Sequence, residues 1–422
     1  MTQRNNATQK WKKGIAAAIA VVALSSCGDQ AANTAEEARR HIERAQAYSK
    51  QGQFRAAMIE ARNAVRKAPN NPVALSTLGS LLLEVGDRTN VIKTLAPVAE
   101  GNDNLLKLLA KAYLETGKAR SASETLEKVS AGGRDLEWRI LSARTLFGLN
   151  QLADAREQLT ALEKEHPESF EPNLRLAQID LLEQKLDSAL TQLQKADVKS
   201  PDNIEVLYMM GVAYHQQNKL DLAESNLSKA LAQTTSSDVL SLQRTSILQL
   251  LAQVLTAQGR SADALIYSRL IAENNPGAQE ARIQFNEALE LYKQGDWATA
   301  EEKLSALYDL YPQNTLGALM LGVINFQQQD YEQATSLFND HLDTETASTK
   351  VISAAAISQL KLEHSEEAVA LLEEALKDHQ DDPNLWSLYG LTLLNTKGGE
   401  QEGLIAVQKA LALKPDHKNL RV

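Results

Sequence analysis

The 422-residue chain has one cysteine, an aromatic share of 5% and more acids than bases. A single cysteine excludes an intramolecular disulfide and any zinc site built from several cysteines. With 54 Asp and Glu against 44 Lys and Arg, the net charge is −10, the wrong sign for a nucleic-acid footprint. Scarce aromatics beside many Ala and Leu point to helices packed through small contacts. At 43% hydrophobic the composition is that of a globular chain, so wholesale disorder is excluded. The longest apolar stretch, Gly14 to Leu24, is about half of the roughly 20 residues a membrane span needs.

That stretch is preceded by Arg4, Lys10, Lys12 and Lys13 with no acid, and followed by Ser25-Ser26-Cys27-Gly28. A basic start, a short apolar run and small residues before a cut site are the pattern of a secretory signal. Leu24-Ser25-Ser26-Cys27 resembles the lipobox of bacterial lipoproteins. The resemblance implies cleavage before Cys27, a diacylglycerol thioether on its thiol and acylation of the new amine, so that acyl chains hold the protein on a bilayer. Residues 1–26 are then the signal peptide and 27–37 a lipidated tether with a helix cap, where Thr34-Ala35-Glu36-Glu37 reads as a capping box. Loss of four cations leaves 40 against 54 acids, a mature net charge of −14. Gly28 stands where an aspartate would resemble an inner-membrane retention signal, so the expected location is the inner leaflet of the outer membrane, facing the periplasm.

Beyond the tether the chain repeats. An alanine followed four residues later by a large apolar residue recurs as Ala122/Leu126, Ala155/Leu159, Ala189/Leu193, Ala223/Leu227, Ala300/Leu304, Ala334/Phe338 and Ala368/Leu372. With Ala264 included, successive gaps are 33, 34, 34, 41, 36, 34 and 34 residues. Upstream lies a second signature, seen as Leu75-x-x-Leu78-Gly79, Leu207-x-x-Met210-Gly211, Ala318-x-x-Leu321-Gly322 and, most fully, Trp386-x-x-Tyr389-Gly390. Between the two signatures sit Gly52, Gly86, Gly117, Asn150, Asn218, Gly259 and Gly295, residues able to end a helix in the left-handed conformation.

Period and signatures together resemble the tetratricopeptide repeat, a helix–turn–helix unit of 34 residues. The resemblance implies an all-α, right-handed superhelical solenoid of about eleven units. Repeats 1–6 are expected over 38–232, an insertion and soft boundary over 233–244, repeats 7–11 over 245–416, and a tail over 417–422. The glycines should let paired helices approach, with Leu or Phe four residues after each alanine filling the gap between repeats.

No motif supports catalysis. The seven histidines are scattered singly, and the phosphate-loop, dinucleotide and nucleophile-elbow patterns are missing. No cofactor or metal is expected beyond the lipid on Cys27, and the protein reads as non-enzymatic. In the family, partners bind to first-helix positions of each repeat. Carried over, these place an apolar, aromatic stripe at Phe285, Leu289, Tyr292, Leu316, Leu319, Val323 and Phe326, extended by Tyr208, Val212 and His215. The lysine–asparagine carboxylate clamp of chaperone-binding members is unmatched: Lys107 suits it, but Lys111 stands where asparagine is expected.

The implied function is a lipid-anchored, periplasm-facing scaffold binding proteins of an envelope assembly, with no nucleic-acid partner. Ala57 to Gly117 is similar to the lipid-anchored tetratricopeptide proteins of exosortase and exopolysaccharide systems. The alternatives are a pilus or secretin assembly factor and a polysaccharide-binding component of an export channel. Little chain follows Lys414 to cap the array, so self-association through the last repeat, around Leu404, Ile405 and Leu411, is also expected.

Overall fold

A computed structural model describes residues 34–234, 237–274, 276–312 and 314–416, apart from the side chains of 276–279. Cys27, the signal segment and the tail 417–422 lie outside them. Among the described residues the chain is all helix and turn, with twenty-two α-helices in eleven antiparallel pairs. They fall into two compact units, 1–274 and 275–422.

The first unit holds seven pairs. These are α1 (residues 34–50) with α2 (Phe54–Lys67), α3 (Pro72–Glu84) with α4 (Arg88–Leu95), and α5 (Asp103–Glu115) with α6 (Ala119–Glu127). There follow α7 (Leu136–Gly148) with α8 (Leu152–Glu165), α9 (Glu171–Leu182) with α10 (Leu186–Lys199), α11 (Ile204–Gln216) with α12 (Leu220–Gln233), and α13 (Leu242–Ala257) with α14 (Ser261–Asn274). The second unit holds α15 (Pro276–Gln294) with α16 (Trp297–Leu310) and α17 (Thr315–Gln327) with α18 (Tyr331–His341). It ends with α19 (Thr349–Lys361) with α20 (Ser365–Ala375) and α21 (Pro383–Leu394) with α22 (Glu400–Leu413).

The two sequence signatures pack against each other. A Cβ on Gly211 would lie 2.6 Å from the Leu227 side chain, and one on Gly322 would lie 2.8 Å from Phe338. Each glycine is therefore the hollow that receives the large residue four places after the repeat alanine. Those alanines, from Ala122 to Ala368, are buried. First helices start on side-chain caps: Asn71, Asn102, Asp135, Asn203, Ser241, Asn314 and Asp382 each accept a backbone N–H of the first turn.

The boundary expected at 233–244 falls between α12 and α13. The core runs straight across it, with Leu207, Ala223, Leu227 and Ala230 packing on Ile247, Leu250, Leu251 and Val254. The compact units divide between Asn274 and Asn275, and the first contains seven pairs. The extra residues form a loop that leaves the core uninterrupted and reaches the first pair of its own unit. There Asp238 accepts hydrogen bonds from the backbone N–H groups of Phe54 (2.7 Å) and Arg55 (3.2 Å). Its own N–H donates to the Gly52 carbonyl at 3.0 Å. Val239 packs beside the core around Phe54 and Leu82, and Leu242 lies against Gly86. Polar composition marks this segment as a loop, but here the polar groups serve as a distant helix cap.

Candidate functional site

In the first unit, the first helices α3, α5, α7, α9, α11 and α13 line a cavity of about 1120 Å³. Its apolar wall comprises Leu108, Ile140, Leu141, Phe147, Met209, Val212 and Leu242, with Tyr208 among them. Helical spacing explains the composition. Ile140, Ala143, Arg144 and Phe147 share one face of α7, so that face presents apolar surface and one cation together.

The charges on this wall are unequally satisfied. Arg88 reaches Glu115 at 3.1 Å across α4 and α5. Arg175 on α9 holds Glu205 on α11 with two bonds, Nη1 to Oε1 at 2.6 Å and Nη2 to Oε2 at 3.3 Å. The Nε–H of Arg175 is buried without an acceptor. Arg144 and Lys111 have no hydrogen-bond or ion-pair partner among the described residues. Burial works against the Glu205 charge, yet Arg175, with Arg144 and Lys111 behind it, outweighs this and holds the carboxyl below its usual range. The Glu205 side chain is 40% exposed and faces the cavity. Burial, followed by the neighbouring Arg175, pulls the Arg144 guanidinium down to about 10. Burial also raises the Tyr208 hydroxyl.

Of the residues expected on the binding face, Tyr208 and Val212 line this cavity; His215, further along α11, does not. Phe285, Leu289 and Tyr292 share a half-buried face of α15, with Phe285 and Tyr292 against the core of the second unit. On α17, Leu319, Val323 and Phe326 are half-buried beside Phe338, and Phe326 meets the Tyr331 ring edge-on at 6.1 Å. Leu316 opens this face and is 62% exposed. Lys107 is 4% exposed, with Nζ 2.7 Å from Asp135 and 3.0 Å from Glu137, so it is committed to the α5–α7 contact and is not a clamp residue.

Sequence reasoning missed Arg144, Arg175 and Glu205. Their signal was charge on first helices, Arg144 two repeats and Arg175 one repeat before Tyr208 and Val212 and Glu205 on the same helix as them, which apolar patterning passes over. Among the described residues, no group of three or more His, Cys, Asp and Glu is placed to hold a metal ion.

Stacked helix pairs with partly exposed first-helix faces define a class, the helical-repeat proteins whose surfaces bind other proteins. Family models for the tetratricopeptide repeat match residues 140–204, 204–233, 285–348 and 325–391, and the chain carries these repeats over those segments. Such repeats make protein–protein interaction scaffolds, a non-enzymatic kind of protein. A comparison with curated proteins gave no match. Among solved structures, the hetero-tetramer Cut9–Hcn1 of the APC/C is 15% identical, with 93% of this chain and 96% of that one covered at a TM-score of 0.32. The tetratricopeptide domain of P58(IPK) is 16% identical, with 90% and 99% covered at a TM-score of 0.25.

Proposed function

We propose that this protein is a lipid-anchored scaffold that holds proteins of a cell-envelope assembly, with exopolysaccharide export as the favoured setting. The observation that carries the scaffold reading is the apolar face of α15 and α17. There Leu316 is exposed, and Phe285, Tyr292, Val323 and Phe326 keep part of their surface open. Aromatic side chains in such rows supply anchoring area at low conformational cost. Leu24-Ser25-Ser26-Cys27 supports the lipid anchor, and the likeness of Ala57 to Gly117 supports the export setting. Trp138 and Trp386 donate their indole N–H groups to the carbonyls of Leu126 and Gln380, which favours a protein partner over a sugar chain stacked on those rings.

Two measurements test this. Labelled palmitate should enter the wild type and not Cys27→Ala, and an unlabelled wild type would reject the anchor. A photocrosslinker at Leu316 in intact cells should capture defined proteins, and Phe285→Glu with Phe326→Glu should abolish capture while helicity is kept. Unchanged capture would reject the site.

A further inference from the structure

The charge of the chain is unevenly laid out, and the scaffold reading makes no use of it. Residues 34–71, the first helix pair, carry eight Lys and Arg against four Asp and Glu, whereas residues 72–422 carry 32 against 49. The basic pair is the one that begins at Thr34, seven residues after Cys27. Within it the acids are engaged: Glu36 and Glu43 pair with Arg39, Glu37 with Lys67, and Glu60 with His41. What is left over lies on α2. Arg55, Ile59, Arg62 and Arg66 follow one another at steps of four, three and four residues, so they fall in one narrow stripe along the helix. All four are exposed, Ile59 by 59%, and the three guanidinium groups make no hydrogen bond or ion pair among the described residues. Asp238, the acid brought to this end of α2, is spent on the N–H groups of Phe54 and Arg55. The stripe stands two residues before and two, five and nine after Ala57, which holds the place of the repeat alanine in the first pair. The corresponding residues of every other repeat sum to a neutral or acidic charge, and none of those sets holds more than one Lys or Arg.

We infer that the Arg55–Ile59–Arg62–Arg66 stripe of α2 is a membrane-facing surface that lies on anionic phospholipid headgroups. The inference rests on the proposed lipid at Cys27 and deepens it. A tether of seven residues reaches about 23 Å at roughly 3.3 Å each, so an anchored first pair stays beside the bilayer and meets headgroups at high local concentration. Guanidinium groups bind phosphate oxygens in pairs, and each cation near an anionic surface adds to the attraction. Ile59, exposed among them, can sink to the acyl boundary while the arginine stems cover it and their heads stay at the phosphates. The same headgroups repel the acidic remainder of the chain, so contact is confined to the first pair. An acyl anchor needs a second signal for firm attachment, and a basic patch is one of the kinds that serve.

The test reads anchor and surface separately. Lipidated full-length protein is reconstituted in phosphatidylcholine vesicles made with or without phosphatidylglycerol. Cys27 is the one native cysteine, so Ile59→Cys gives a single thiol for a fluorophore, and bilayer contact is read as quenching by a headgroup-bound nitroxide. Position 59 should be quenched in the anionic vesicles and not in the neutral ones, and raised salt should reverse it. Ser225→Cys, the exposed counterpart on α12, should stay unquenched in both. Arg55→Gln, Arg62→Gln and Arg66→Gln together should lower the contact equilibrium at least about tenfold with helicity kept, and lysine at the same three places should restore it. Equal quenching in the two vesicle types overturns the inference, as does quenching that survives in the glutamine variant, or an unquenched position 59 that crosslinks to an acidic protein instead. If the protein stays on both vesicle types with position 59 unquenched, only this inference falls. If it stays on anionic vesicles alone, with position 59 quenched, the basic surface stands and the lipid anchor falls. If it leaves both, the two fall together.

Discussion

The carboxylate of Asp238 caps the helix that begins at Phe54, 184 residues earlier in the chain, with a 2.7 Å bond to the Phe54 N–H. Helix α2 has no cap of its own, since Gln53 at the N-cap position makes no side-chain bond to it. Asp238 supplies both an acceptor and a negative charge at the positive end of the helix. Asp238→Ala should therefore destabilise the first unit by about 0.5–2 kcal/mol. Hydrogen exchange localises the effect: the amides of Phe54 and Arg55 should lose protection while those of α9 and α10 keep theirs. Uniform loss, or none, would show that the contact does not tie the seventh pair to the first.

The period, the pairing and the hollows were legible in the sequence because each repeats, and a repeated local demand leaves a repeated residue. Gly52, Gly86, Gly117, Asn150, Asn218, Gly259 and Gly295 were all expected to turn left-handed and all have positive φ. The Asp238 cap was illegible because it occurs once and spans most of a unit. Arg144 and Glu205 were illegible for a related reason. A charge at one first-helix position reads as a solvated face until the neighbouring repeats show that the face lines a cavity.

Two repeat glycines should respond differently to the same substitution. A Cβ on Gly79 would lie 2.7 Å from a terminal methyl of Leu108, which can turn aside. A Cβ on Gly390 would meet backbone, at 2.9 Å from the Gly403 carbonyl oxygen and 2.9 Å from the Val407 nitrogen, because Gly403 lets α21 and α22 touch main chain to main chain. Alanine gains up to about 1 kcal/mol of helix propensity over glycine. Overpacking costs roughly 1–3 kcal/mol. Gly79→Ala should be close to neutral and Gly390→Ala destabilising by about 1–2 kcal/mol after the propensity gain, read from denaturant midpoints. Equal effects would mean that α21 and α22 can separate without penalty.

The turns also expose misfits. Gln184, Gln329 and Glu363 have φ of 60°, 68° and 64° at places where other repeats use glycine or asparagine. Left-handed backbone costs a residue with a Cβ about 1–2 kcal/mol, part of which glycine returns through the entropy of its unfolded chain. Gln329→Gly should raise stability by about 0.5–1 kcal/mol. The same change at Gln328, whose φ is −82°, should lower it. Thermal unfolding of the two variants provides the comparison, and a loss at both positions would contradict the strain argument.

Acid should weaken the first unit through Glu205. Its folded pKa is depressed, so the stability it supplies is complete above its ordinary value of 4.5 and is lost as pH falls below that through the lower folded value. Asp135 adds in the same sense. Burial opposes its charge, but the bonds from Lys107 and the Trp138 N–H hold it below its ordinary 3.8. Glu205→Gln removes the charge that Arg175 holds at 2.6 Å and, because the Glu205 side chain is 40% exposed and partly screened, should cost roughly 0.5–1.5 kcal/mol at neutral pH. Below pH 4.5 the penalty should shrink, because wild-type Glu205 is then losing the same charge. Urea unfolding at stepwise lower pH would show the two stability curves converging, whereas parallel curves would place the acid sensitivity in other carboxylates.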